Sequence, residues 1–287
     1  MRSFVSLVKN NSDDPVMEIA LPTLLGITTG LLLGLTGAGG GIVAAPLLML
    51  VLHQSVTAAA PISLLSITMG ALVGTLMGLR SGQVRYRAAL LLSAAGLLFQ
   101  PLGIYASHVI PNTPLLLFFA AVLGYLGLRY WRGKTIARDK DPACAISPTN
   151  KRFIWNKPCL WVMTRTGLLA GFLSGLLGLG GGFVLIPALR RHTTLPMQAV
   201  SATSLMVLTI VSAGGVLQWM AAGEMNWHIA APFSWGAILG MVLGRMAMTR
   251  IPEARVHLIF GGLCLMVGAA LVVKALPPCS PVTQRWG

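Results

Sequence analysis

Acidic residues are nearly absent. The 287-residue chain has seven Asp and Glu against 21 Lys and Arg, and only 10% of its residues are charged. A soluble globule carries about 25% charged residues, which keep its surface in water. Seven carboxylates cannot do that for a chain of this length, so a soluble enzyme and a disordered chain are excluded. Cysteine is scarce too: four residues with no CxxC pair, and no His at metal-ligand spacing. That excludes a disulfide-built secreted module and leaves no metal-binding pattern. A cleaved leader is not expected either, because Asp13, Asp14 and Glu18 precede the first apolar run. What is abundant is apolar: 55% of residues fall in AVILMFWYC, and 33 more are Gly. A polytopic all-α membrane protein remains. In that setting the net charge of +14 marks cytoplasmic loops and not a nucleic-acid surface.

Ten apolar runs stand out, at about 19–37, 42–52, 57–79, 88–107, 113–131, 162–179, 183–190, 197–220, 229–249 and 256–276. Most approach the ~20 residues a helix needs to cross a bilayer. The runs after 41 and 182 are too short and read as half-helices, so eight to ten helical segments are expected. The chain divides into a tail (1–18), a membrane unit (19–131), a basic cytoplasmic linker (132–160), a second membrane unit (161–276) and a second tail (277–287). Cys144 and Cys159 fall on that linker, so free thiols are expected in the reducing cytosol.

The two membrane units are copies. A shift of 141 residues lays GLLLGLTGAGGGIVAAP (30–46) on GFLSGLLGLGGGFVLIP (171–187), with 10 of 17 positions identical. The same register pairs Ser63-Leu64 with Ser204-Leu205, Thr68 with Thr209, Gly103 with Gly244, and Ile110-Pro111 with Ile251-Pro252. Arginine falls out of phase between the copies. The 80–87 loop carries Arg80, Arg85 and Arg87, whereas its counterpart at 221–228 has only Glu224. Conversely, Arg190, Arg191, Arg245, Arg250 and Arg255 stand where the first copy has no Lys or Arg. Short basic loops face the cytoplasm, so the copies are expected to be inverted repeats.

The runs Gly37-Ala38-Gly39-Gly40-Gly41 and Gly178-Leu179-Gly180-Gly181-Gly182 are not nucleotide loops, because no strand precedes them and no Lys-Ser/Thr follows. Consecutive glycines cost a helix about 1 kcal/mol each relative to Ala. A break at membrane depth is tolerated only against protein or a cavity. Past each break the chain resumes as an apolar run with Pro46 or Pro187 at its fifth residue. Such a short helix opens with N–H groups that have no partner inside it, and these attract an anion. Gly70, Gly74 and Gly78, and Gly236, Gly240 and Gly244, have the spacing of helix packing instead.

The paired GLTGAGGGIVAAP and GLLGLGGGFVLIP segments, with the Ser201–Leu205 stretch, resemble the TauE/SafE family over about residues 20–275. The resemblance implies a multi-pass protein of the bacterial inner membrane that moves sulfite, sulfur-containing organic anions or carboxylates. An enzyme is not expected: no GxSxG occurs and no His stands beside a Ser at mid-depth. The expected site comprises Thr36, Gly37, Gly39, Gly40, Gly41, Pro46, Ser63, Gly178, Gly180, Gly181, Gly182, Pro187, Thr203 and Ser204, with Gln100 as a further candidate. No metal or cofactor is expected. A coupling ion and a homo-oligomer are compatible with the pattern, as is a purely structural subunit. All seven Asp and Glu lie outside the apolar runs, so export of an anion down an inside-negative potential needs no carboxylate relay. Trp131, Trp161, Trp219 and Trp227 are expected at the bilayer interfaces.

Overall fold

The structure is a computed structural model that describes residues 15–37, 40–52, 54–131, 144, 156–221, 223, 225–248 and 253–275. The described residues form ten α-helices. Copy one contributes α1 (Pro15–Thr36), α2 (Gly41–Val51), α3 (Val56–Arg80), α4 (Tyr86–Val109) and α5 (Asn112–Trp131). Copy two contributes α6 (Lys157–Leu177), α7 (Gly182–His192), α8 (Met197–Ala221), α9 (Trp227–Met248) and α10 (Glu253–Ala275). The 141-residue shift carries both ends of α2 onto α7 and of α3 onto α8. Seven helices are long and apolar enough to cross a membrane. Side chains such as Leu98, Leu217 and Val273 are left exposed, as suits a protein whose solvent is lipid.

The most extensive helix contacts are α1 with α9 and α4 with α6. Both are glycine seams. Gly26, Gly30 and Gly34 of α1 face Phe233, Ala237 and Met241 of α9, while Gly167, Gly171 and Gly175 of α6 face Leu92, Gly96 and Gln100 of α4. Residue numbers rise together in each seam, so each pair runs parallel. A Cβ on Gly30 would overlap the Ala237 carbonyl, and one on Gly171 the Gly96 carbonyl. Small residues are what allow backbones to approach this closely. The packing reading of Gly236, Gly240 and Gly244 agrees, since each abuts the α1 backbone.

Each bundle therefore mixes the copies. A first bundle holds α1, α3 and α9, with Gly70 and Gly74 of α3 against Ala237 and Met241. A second holds α6, α8 and α4, with Val211 of α8 on Gly96 and Gly215 of α8 on Gln100. The bundles join along α3 and α8, which run antiparallel. Leu64 meets Gly215, the Thr75 hydroxyl lies 3.1 Å from that of Thr209, and Ala202 faces Gly78. Helices α5 and α10 are antiparallel as well, with Ala120 beside Gly268 and Trp131 beside Gly262.

These directions give the molecule two ends. One collects the C-terminal ends of α3, α5, α7 and α9 and the N-terminal ends of α4, α6 and α8. Nine of the ten Lys and Arg whose side chains are described stand there: Arg80, Arg85, Arg87, Arg129, Lys157, Arg165, Arg190, Arg191 and Arg245. Trp161 and Trp131 are exposed near this basic end, and the Arg165 guanidinium lies 3.7 Å above the Trp161 ring. The other end holds only Lys274, which donates to the Met49 carbonyl at the last turn of α2.

The thiols at 144 and 159 are not free. They form a disulfide with Cα atoms 4.9 Å apart, and both residues are buried. The cause is a contact that the sequence does not announce. The Cys144 N–H donates to the His192 carbonyl (3.0 Å), which seats this residue across the end of α7 and beside the start of α6. Cys264, on α10, is the free cysteine among the described residues.

Candidate functional site

Each break begins as a helix end. The N–H of Gly37 donates to the Leu33 carbonyl and that of Gly178 to Ser174, both at 2.9 Å. Gly37 (φ 84°) and Gly178 (φ 68°) then turn the chain through the left-handed region, which favours glycine. The first turns of α2 and α7 match as well: Val43 N–H donates to Gly40 and Val184 N–H to Gly181, both at 3.2 Å. At about 1.5 Å per residue, each 11-residue helix covers roughly 16 Å, half the ~30 Å hydrocarbon core.

The two breaks meet. A Cβ on Gly41 would lie 3.1 Å from Ile67 and 3.3 Å from the Leu179 carbonyl, and one on Gly180 would lie 3.2 Å from Ile67. Ile67 stands halfway along the 25 residues of α3, so both half-helices begin at mid-depth. A cavity of about 10 Å³, near the minimum for one water, opens at this point. Gly41, Ser66, Ile67 and Thr29 are among its lining residues.

The expected hydroxyls divide. Ser63 belongs to the site: its Oγ lies within hydrogen-bond distance of two carbonyls, Gly178 at 2.8 Å and Ala60 at 2.9 Å. Thr36 and Ser204 donate to their own helices, at the Leu32 and Ser201 carbonyls. Thr203 lies elsewhere, near the basic end, where it accepts from the Arg85 N–H at 3.1 Å. Pro46 and Pro187 sit inside α2 and α7 and so remove a donor from each. Gly40 and Gly181 have a structural duty as well, since a Cβ would overlap Leu33 N in one case and Ala170 O in the other. Bulky residues there would disturb packing whatever the site does. Gly41 is the better probe, its nearest neighbour being the end of the Ile67 side chain. Gly39 lies outside the described residues.

Of a further set, sequence reasoning named Gln100 and missed the rest. Among the described residues, six buried side-chain polar atoms have no hydrogen-bond partner: Arg85 Nε, Ser93 Oγ, Gln100 Oε1, Ser201 Oγ, Ser212 Oγ and Trp219 Nε1. All belong to α4, to α8 or to the residue just before α4. Two adjoin the breaks, for Ser201 Oγ lies where a Gly37 Cβ would go, and Ser212 Oγ would be 2.7 Å from a Gly180 Cβ. Gln100, fully buried, holds the Ser174 hydroxyl through Nε2 at 3.4 Å. Trp219 corrects the interfacial expectation. It is 0% exposed, whereas Trp131, Trp161 and Trp227 are more than half exposed.

The model of a family described as "Sulfite exporter TauE/SafE" matches residues 23–271. The chain belongs to this family. Similar proteins include a "Probable membrane transporter protein" of Xylella fastidiosa, 29% identical over 250 residues and covering 86% of this chain and 92% of that one. Another is "Probable membrane transporter protein YunE" of Bacillus subtilis, 26% identical over 278 residues, or 91% and 99% of the two chains. A shorter match, 32% over 92 residues (31% of this chain and 21% of that one), is to "Sulfite exporter TauE/SafE family protein 6" of Arabidopsis thaliana. The family is one of membrane transporters, and its match spans all ten helices from within α1 to within α10. The protein is thus a multi-pass membrane protein of a transporter family, as the composition and the paired glycine motifs implied.

Proposed function

We propose that the protein is a secondary transporter or facilitator that exports small anions: sulfite, sulfur-containing organic anions or carboxylates. The observation that carries this reading is the meeting of two half-helix N-termini at mid-depth. Their first-turn N–H groups and dipoles favour negative charge. The nine described cations of the basic end and Lys274 at the other all stand away from Ile67, so backbone and hydroxyl donors do the neutralising. Ser63 and Ser212 stand at the second break, and Ser66 and Thr29 line the cavity beside Gly41. Export follows from energetics, because an inside-negative potential contributes about 2.3 kcal/mol per 100 mV to expelling a monovalent anion.

The copies are inverted repeats in this reading, supported by the antiparallel run of the equivalent helices α3 and α8 and by the clustering of cations at one end. The basic end, including the linker, is cytoplasmic. Flux of sulfite, thiosulfate, sulfoacetate and small carboxylates into proteoliposomes tests the activity. One of these should move at a rate at least tenfold above empty vesicles, and uniform silence would sink the transport reading. Single cysteines at Ser81 and Ala221 test the topology. They should react with an impermeant maleimide from opposite sides, and labelling from one side would end the inverted arrangement.

A further inference from the structure

Three of the polar atoms without partners, Trp219 Nε1, Gln100 Oε1 and Ser212 Oγ, lie between α4 and α8, and a route accounts for their placement. On α8, Leu208, Ser212, Gly215 and Trp219 follow one another at three- and four-residue spacing and so share a face. Leu208 and Ser212 touch the second break, Gly215 touches Gln100 of α4, and the Trp219 ring lies 5.0 Å from the His108 ring of α4. Beyond His108, at the end opposite the basic one, a vestibule of about 320 Å³ opens. Its described lining is Thr57, Ser107, His108 and Asn112 with the intervening turn at 109–111, and none of these residues is a carboxylate. At ~30 Å³ per water it holds about ten waters, enough for a small anion with part of its hydration shell. Between vestibule and Gln100 lies a hydrophobic cluster separate from the main core: Ala60, Leu64, Val216 and Trp219, with Ile104 packed on it.

We propose that the α4–α8 seam is the passage between this vestibule and the mid-depth site, and that Trp219 is its gate. The inference rests on the transport reading for what passes, and on geometry alone for where. The cluster is small and closes a short distance. The Trp219 indole, buried with its N–H unused, is positioned to donate to an anion as it goes by. Gln100 and Ser212 then pass the anion to the N-terminus of α7. The equivalent positions of the other bundle carry no polar side chain: Gly78 stands for Trp219, Ala71 for Ser212 and Met241 for Gln100.

The test is the reactivity of a buried thiol with a small anionic methanethiosulfonate, read by mass spectrometry at that residue. In Ser212→Cys the thiol is shielded. Adding Trp219→Ala should raise its rate of modification at least tenfold, and Trp219→Phe should leave it within threefold. A cysteine at the equivalent position in the first bundle, Ala71→Cys, should stay unreactive with either. If the alanine variant fails to elute as a folded peak, Trp219→Leu takes its place, with at least a threefold rise expected. Equal rates at 212 with and without the indole overturn the gate. Equal acceleration at 71 overturns the one-sided passage. If the wild-type protein moves none of the anions while the Trp219→Ala variant of Ser212→Cys still shows the accelerated labelling, the transport reading is lost and the gate is kept.

Discussion

At the same turn of equivalent helices the two copies place Gln100 and Met241. The surroundings match closely. A Cβ on Gly74 would meet Met241 and Leu205, and one on Gly215 would meet Gln100 and Leu64, each the counterpart of the other. The exchange continues outward. Ser174 of the second bundle stands for Leu33 of the first, and Ser212 for Ala71. In the first bundle the buried Thr29, Ser66 and Ser234 all donate to their own helix backbone, so nothing is left over. In the second, Ser93, the counterpart of Ser234, has no partner, and neither do Ser212 and the Gln100 oxygen. A buried polar group left unpaired costs about 1–3 kcal/mol. The second bundle thus carries buried polar groups, drawn from both copies, that packing alone does not require.

This contrast can be broken in stages. The largest effect should fall on both bundles alike. Gly30→Val and Gly171→Val each drive a side chain into a facing backbone, so neither variant should yield folded protein by fluorescence-detected size exclusion. Survival of one alone would show that the seams are not equivalent. Next comes the exchange of the central pair. Gln100→Met should reduce anion flux at least tenfold while raising or preserving the melting temperature, since it removes an unpaired oxygen. Met241→Gln should do the reverse, leaving flux within about twofold and costing about 1–3 kcal/mol of stability. Equal loss of flux in both would abolish the division of labour. A methyl at the first break, Gly41→Ala, should reduce flux severalfold with little change in stability, because its nearest neighbours, the Ile67 side chain and the Leu179 carbonyl, stand 3.1–3.3 Å away. The smallest effect belongs to the bridge between the bundles. Thr75→Val removes one hydroxyl contact to Thr209 and should cost about 0.5–1.5 kcal/mol, read as a modest fall in melting temperature.

How much of this could be read beforehand depends on which forces are local. The shift of 141 residues predicts the helix boundaries of α2, α3, α7 and α8, because glycine, proline and the lengths of apolar runs act on their own neighbourhood. The meeting of the breaks is what the proposed inversion of the copies predicts. The exchange of α4 and α9 between the copies is not, since a glycine face announces that a backbone will approach but not whose. Trp219 misleads for a related reason: a tryptophan near a helix end suits the bilayer interface, and only the packing of α3 and α4 around α8 buries it. Thr203 was grouped with the site by proximity in sequence, yet its oxygen is taken by the loop that enters α4. The cystine is not legible in the sequence, because nothing local announces that Cys144 lies across the end of α7. On a cytoplasmic face the Cys144–Cys159 bond meets a reducing pool. Intact cells should then yield alkylated thiols at both positions, and oxidised cells the cystine.

The exchanged fourth helices also set an order of assembly. Helix α1 leaves the ribosome before the other described helices, yet the backbone that fills its Gly26, Gly30 and Gly34 groove belongs to α9. Roughly 200 residues separate the two, which at about 5–20 residues per second means tens of seconds of synthesis. Throughout that interval the first bundle is incomplete, and its glycine groove is open to lipid or to any other passing helix. The second seam waits far less, because α6 follows α4 after only one further helix and the linker. Biogenesis is therefore expected to finish on the side with the fewer polar demands, with the last long helices sealing the first one.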